Sequence, residues 1–383
     1  MREGRKTDVC VISTIHPPYE ARVYARCAEA YLRRGLKVCL ISTWPVPAAP
    51  TPRLDWIYVP RAKRRWERPL NAVRFFLKAL RVSTRAYHFH ELEFIVYGTL
   101  LRLLTGAKVI FDCHEAYKED IIYNKQYIPI ALRRMLGISL HALEMVCSRI
   151  IGNVIVPVPA LEKPFARRGI RVTTVHNYTR WAIQRDWPHE RGLVYSGSMT
   201  LTYGARVILD IARSLKRRGI DLPIYLTERN ASPAMKSEVM GSIESESLRI
   251  VVLPFLKSHD IGMLMKLGHI ALSVMKDSPE KRVSIAAKLF EYMAFGLPVV
   301  GENFGYTRTI LLEAGCGVIA NPEDPESYVD AIEKLDRDPA ELEDRRQRGF
   351  RALEQTYSWD KEEGRLMRFY REVVGSRGAS RGT

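Results

Sequence analysis

Chemistry-bearing side chains gather at a few places in the sequence. Tyr87-His88-Phe89-His90-Glu91 and Phe111-Asp112-Cys113-His114-Glu115 both stand where a strand is expected to end. Alternation with aromatics puts His88 and His90 on one strand face. His90-Glu91 opens like the zinc motif H-E-x-x-H, but Phe94 occupies the place of the second histidine, so no metal is expected. His114, between Asp112 and Glu115, is a candidate for hydrogen bonding a substrate hydroxyl; the plainer alternative is a strand-end histidine that caps the next turn. Farther on, Asp277-Ser278-Pro279-Glu280-Lys281-Arg282 precedes a helix expected to open on Ser284 and stop at Gly296. Lys281 and Arg282 could clamp a diphosphate there. Lys288 and Glu291, three apart, share one face of that helix, either as ligand contacts or as an exposed ion pair.

Two more junctions follow strands. Gly197 and Ser198, in Tyr195-Ser196-Gly197-Ser198-Met199-Thr200, would let backbone N–H groups approach a phosphate beside a helix start. His16, Glu20 and Arg22 crowd the loop after the first strand, which suits a polar ligand, although Glu20 could equally serve only to favour the helix start. That loop, Thr14 to Arg22, contains no glycine and so cannot be a dinucleotide-binding G-x-G-x-x-G turn.

Positioning these groups requires strands and crossover helices. Apolar runs of strand length alternate with amphipathic stretches: Val9 to Ser13, Arg22 to Arg34, Val38 to Ser42, Val109 to Asp112. A second series starts at Leu193 to Ser196 and runs through Leu222 to Leu226, Leu248 to Leu253, Pro298 to Val300 and Gly317 to Ala320. Such alternation indicates parallel sheets, here α/β in two Rossmann-like, doubly wound domains facing across a cleft, with ligands at the carboxyl ends of the strands. The expected division is 1–178 for the first domain, 179–192 for a linker, 193–356 for the second, and 357–383 for a closing helix and frayed tail.

With 383 residues, 46% hydrophobic and 27% charged, the chain has the composition of a globular protein and none of a disordered or fibrous one. Six scattered cysteines without a C-x-x-C pair read as reduced core thiols. No apolar export segment or run of spanning length is evident, which predicts a cytoplasmic protein. The excess of 59 Lys and Arg over 43 Asp and Glu, net +16, attracts polyanions. It is spread along the chain and accompanies no nucleic-acid-binding signature, so nucleic acid is not expected as a partner. The basic cluster from Arg61 to Arg68 leads into an apolar-faced helix, and segment 61–85 could lie on an anionic membrane surface or simply pack as an ordinary helix with a solvated cationic face.

Taken together, the His-Pro-Pro junction at 16–18, the two strand ends around His90 and His114, Asn177-Tyr178, Lys288-Leu289-Phe290-Glu291-Tyr292-Met293-Ala294 through Val299, and Tyr357-Ser358-Trp359 resemble the large retaining glycosyltransferase family usually numbered four (glycosyl transferases group 1), of GT-B fold. The resemblance implies a sugar moved from a nucleotide diphosphate sugar, UDP first and GDP second, onto a hydroxyl acceptor that is a sugar, a lipid-linked or a small molecule, with retention and with no cofactor or obligatory metal. It implies that Glu291 holds the donor ribose, that His114 lies near the transferred sugar, that Gly197 turns under the diphosphate, and that the first domain binds the acceptor through His16, Glu20, Arg22, His90 and Glu91. Departures from the family pattern are Val283, where an acid eight residues before Glu291 is common, and Tyr203 in place of an arginine before Gly204. The diphosphate clamp then falls to Arg206, Arg229, Lys281 or Arg282, with Ser198 and Lys288. A non-catalytic donor-binding subunit and a sugar-nucleotide epimerase are alternatives on the same fold.

Overall fold

The computed structural model describes residues 6–15, 21–44, 51–62, 64, 67–125, 127–201, 203–257 and 260–375. They divide into two units, 1–177 with 359–383, and 178–358. The chain thus returns to the first unit at Trp359.

The first unit is built on a seven-stranded, all-parallel sheet of order β3-β2-β1-β4-β5-β6-β7. Its strands are β1 Lys6–Ile12, β2 Val38–Ser42, β3 Leu54–Tyr58, β4 Ser83–Phe89, β5 Lys108–Asp112, β6 Asn153–Val156 and β7 Arg171–Thr174. The inner strands are continuous apolar runs because helices cover both faces. Phe75, Phe94, Leu101 and Met145 pack on one side. Val23, Tyr31, Leu366 and Phe369 pack on the other, so the closing helix Trp359–Val374 completes a core that begins with β1. After the helix Glu29–Arg33, Gly35 adopts φ 76°, the left-handed stop expected beyond two arginines.

The second unit repeats the plan with six parallel strands in the order β10-β9-β8-β11-β12-β13. They are β8 Leu193–Tyr195, β9 Ile224–Thr227, β10 Ile250–Leu253, β11 Ile270–Ser273, β12 Val299–Glu302 and β13 Gly317–Ala320. In both sheets the strand order reverses beside the first strand, between β1 and β4 and between β8 and β11, which is where open α/β sheets bind ligands. Residues 179–192 are packed into this second unit: Gln184 N–H donates to Ala294 O at 2.8 Å, Glu190 N–H to Lys266 O at 2.8 Å, and Trp187 stacks edge-on against Phe295.

One expected boundary is corrected. The helix read as starting at Ser284 begins at Lys288 and ends at Ala294. Ser284 donates its hydroxyl to Lys281 O at 3.2 Å instead of capping. Lys288 therefore stands in the helix's first residue position and Glu291 in its first turn.

Candidate functional site

In the first unit, register does the positioning. Ile12 pairs with Phe89 and Phe89 with Phe111, so Ser13, His90 and Asp112 leave three adjacent strands side by side. Ser13 Oγ donates to Glu91 Oε1 at 2.5 Å, and Thr14 Oγ1 donates to Glu93 Oε1 at 2.7 Å, tying the loop after β1 to the end of β4. Asp112 is fully buried and gathers the histidines: Oδ2 lies 3.5 Å from His88 Nε2, 3.2 Å from His90 Nδ1 and 4.0 Å from His114 Nε2. His88 and His90 stack with ring centroids 4.7 Å apart, as period-two spacing requires. Tyr31 OH lies 2.9 Å from His88 Nδ1, and His90 Nδ1 lies 3.1 Å from His114 Nε2. A buried chain of polar groups thus ends at His114, the member of the set that reaches the surface.

His90 and Glu91, expected to touch an acceptor directly, are buried and occupy supporting positions behind His114 and the β1 loop. His16 and Glu20 lie outside the described residues; Arg22 belongs to the helical stretch Ala21–Ala28. Ligand atoms of Cys27, His88, His90 and Asp112 fall within 4.8 Å of one another, a donor set of the kind zinc accepts. Contacts inside the cluster, including Cys27 Sγ to Asp112 Oδ2 at 3.9 Å, engage the same atoms without an ion. The sequence showed the two histidine strands but not Cys27, which a helix 85 positions from Asp112 supplies.

In the second unit the loop after β8 and the segment after β11 meet. An added Cβ at Gly197 would lie 2.2 Å from the Tyr195 hydroxyl, so this turn admits only glycine without displacing a buried ring. Gly204 adopts φ 73° and would bring a Cβ to 2.4 Å from Val274, and the helix Ala205–Arg217 starts from it. Tyr203 receives the Lys281 ammonium over its ring at 4.4 Å. Lys281 Nζ also donates to Glu280 Oε1 at 2.9 Å. Burial pulls the Lys281 amine down, but Tyr203 and Glu280 outweigh it and hold the amine above its usual value. Lys288 Nζ lies over the Tyr195 ring at 4.3 Å and has no hydrogen-bond partner among the described residues. Its burial lowers its pKa from 10.5 to about 8, with Glu302 acting in the opposite direction and Lys281 adding to the fall.

The remaining candidates separate. Arg229 is exposed beside the glycine turn, its carbonyl accepting from Met199 N–H at 2.8 Å, and Asn230 Nδ2 donates to Ser198 Oγ at 2.9 Å. Arg206 and Arg282 are exposed and held bidentately, by Glu238 and by Asp277 respectively. Glu291 is partly buried. Glu302, at the end of β12, was missed: it is fully buried, accepts from Thr307 Oγ1 at 2.6 Å, and leaves Oε2 without a partner among the described residues. A carboxylate closing the run Val299-Val300-Gly301 was its only signal in the sequence.

Residues 190–338, inside the second unit, match the family model described as Glycosyl transferases group 1. No curated protein matches the chain. Among solved structures, the sucrose-phosphate synthase of Thermosynechococcus elongatus is 16% identical with a TM-score of 0.74, over 96% of this chain and 99% of that one. Anabaena HepE, solved with UDP-glucose, is 12% identical with a TM-score of 0.71, over 96% and 100%. A glycosyltransferase from Rickettsia africae is 14% identical with a TM-score of 0.68, over 96% and 99%.

Proposed function

We infer that this chain, a group 1 glycosyltransferase of GT-B fold, moves a sugar from a nucleotide diphosphate sugar to a hydroxyl acceptor and retains the anomeric configuration. The observation that supports this best is Lys288: an ammonium kept from water, without a hydrogen-bond partner among the described residues, over the same Tyr195 ring that the Gly197 turn lies against and close enough to Lys281 to feel its charge. A buried cation in that condition is unfavourable until an anion joins it. A diphosphate is such an anion.

As the glycosidic bond breaks, negative charge grows on the departing diphosphate, and fixed cations in a water-poor pocket stabilise it without having to reorganise. Lys288 and Lys281 take this role, with Arg229 on the rim; the Gly197–Ser198 turn offers backbone N–H groups, and Glu291 holds the ribose. In the first unit His114, steadied by His90 and Asp112, hydrogen-bonds a sugar hydroxyl, and His16, Glu20 and Arg22 meet the acceptor. No residue here compels a covalent intermediate, so departure and attack proceed on one face, the leaving phosphate accepting the acceptor's proton. UDP is the first choice of nucleotide, in keeping with the UDP and UDP-glucose complexes of HepE, and GDP the second. No resident metal is needed in this scheme.

A panel of nucleotide sugars tests the reading by thermal shift and nucleotide release. The wild type should respond to a UDP-sugar or GDP-sugar and release nucleotide slowly, and Glu291→Ala and Lys288→Ala should lose at least about tenfold of that rate. Silence across the panel would overturn the assignment. Binding without release would indicate a donor-binding subunit, and an isomerised sugar nucleotide an epimerase. The anomeric proton coupling of the product reports retention or inversion.

A further inference from the structure

The first unit leaves much apolar surface in solvent, and most of it lies on three neighbouring helices: Arg68–Leu80, Ile95–Thr105 and Ile130–Ile151. The third has 22 residues and is apolar on two sides. Its inner side buries Met145, Cys147 and Ile151 against the sheet. Its outer side carries Leu132, Met135, Leu136, Leu143, Val146 and Ile150, all exposed, at spacings that a period of 3.6 residues brings onto one helix face. At 1.5 Å per residue this stripe runs along a rod of about 33 Å. The adjoining helix adds Val96, Leu100, Leu103 and Leu104, the last two 63% and 62% exposed. A soluble surface rarely carries contiguous apolar area of this extent unless something covers it.

Charge on these helices decides what covers them. Arg68–Leu80 contains no acid and exposes Arg74 and Lys78; Ile95–Thr105 contains Arg102 and no acid. The single acid of Ile130–Ile151 is Glu144, which is buried and lies 3.3 Å from His141, while Arg134 and Arg149 are exposed. The charges that these three helices themselves expose are all positive, and of the acids beside them Glu93 lies 4.0 Å from Arg68 and Asp120 2.9 Å from Lys125. Such a face matches an anionic bilayer, whose acyl boundary takes the leucines and whose head groups take the arginines. No helix among the described residues is long and apolar enough to cross a membrane, so the helices would lie on the surface.

We propose that the face formed by Ile95–Thr105 and Ile130–Ile151, with the basic helix Arg68–Leu80 beside it, seats the chain on an anionic lipid surface. This inference goes beyond sugar transfer and does not depend on it. It adds to segment 61–85, read from its basic cluster and apolar-faced helix, two further helices whose signal is mainly apolar.

Flotation of the full chain with vesicles of phosphatidylcholine, alone or mixed with phosphatidylglycerol, tests it. The wild type should float with the mixed vesicles and lose partitioning as salt rises. Arg134→Gln should weaken partitioning about fivefold, the value of one cation near an anionic surface. Leu136→Glu/Val146→Glu should weaken it at least about tenfold, through lost apolar burial and added repulsion. Circular dichroism melts confirm that each variant is folded, and nucleotide release without vesicles, which none of these residues touches, separates failure of this proposal from failure of the enzymatic reading. Absence of flotation, or equal flotation of the folded double variant, overturns the proposal. So does light scattering that finds a dimer which the same double variant makes monomeric, since a second copy would then cover the face.

Discussion

Lys288 carries the clearest single-residue consequence. Its pKa is about 8 in the fold against 10.5 free, so between those values the unfolded chain binds a proton that the folded chain does not. Stability therefore rises with pH across this window, and below about pH 8 the buried charge costs about 3 kcal/mol. Lys288→Met should raise the melting temperature at pH 7 and remove its share of the rise between pH 8 and 10.5, measured as the difference between wild-type and variant melts. A bound diphosphate would return the proton: titration calorimetry near pH 9 in buffers of different ionisation enthalpy should show proton uptake with wild type and less with the variant. Gly197→Ala tests the turn. With the Tyr195 hydroxyl held by Tyr203 O and only 2.2 Å from the new methyl, the loop must shift, at a cost of roughly 1–3 kcal/mol, and nucleotide-sugar affinity should fall with it. Unchanged stability and affinity would show that the turn tolerates a side chain.

Strand ends are the elements that make both sites. Asp112→Asn keeps the shape but replaces one acceptor oxygen by a donor among three imidazoles, so a buried polar group is left unmatched; the denaturation midpoint should drop by the equivalent of roughly 1–3 kcal/mol. An unmoved midpoint would mean that the cluster contributes nothing to cohesion. Elements of this kind were legible in the sequence where a strand is a sustained apolar run closed by polar residues, as in Val38–Ser42 and Lys108–Asp112. Two short strands were not: Asn153–Val156 follows a long helix after a single glycine, and Ile270–Ser273 has four residues with no alternation to read. The site was legible to the same degree. His90, Asp112 and His114 announce themselves by position, whereas Lys281 sits in what reads as a solvated loop and is buried in the fold, with Tyr203, 78 positions away, against it. Arg206 and Arg282 looked equal to Lys281 as clamps; the pairing of Arg206 with Glu238, 32 positions on, and of Arg282 with Asp277 of its own loop is seen in the fold.

For the whole molecule, two further outcomes are expected. Turnover should survive prolonged chelation by EDTA; its loss, restored by zinc, would direct attention to Cys27, His88, His90 and Asp112. Removing residues 359–383 should expose the cluster that Trp359, Leu366, Phe369, Tyr370 and Val373 complete, so calorimetry should find the first unit's transition lowered or absent while that of residues 178–358 persists. A coincident loss of both would show that the two units melt as one. The same chain path bears on biosynthesis. A ribosome that has made all of residues 1–358 has produced every described strand of the first unit but not the helix that seals β1, so the first unit is begun before the second and finished after it. During that interval its unsealed side is open to chaperones or to aggregation, and a stop codon just before Trp359 would spare the second unit and ruin the first.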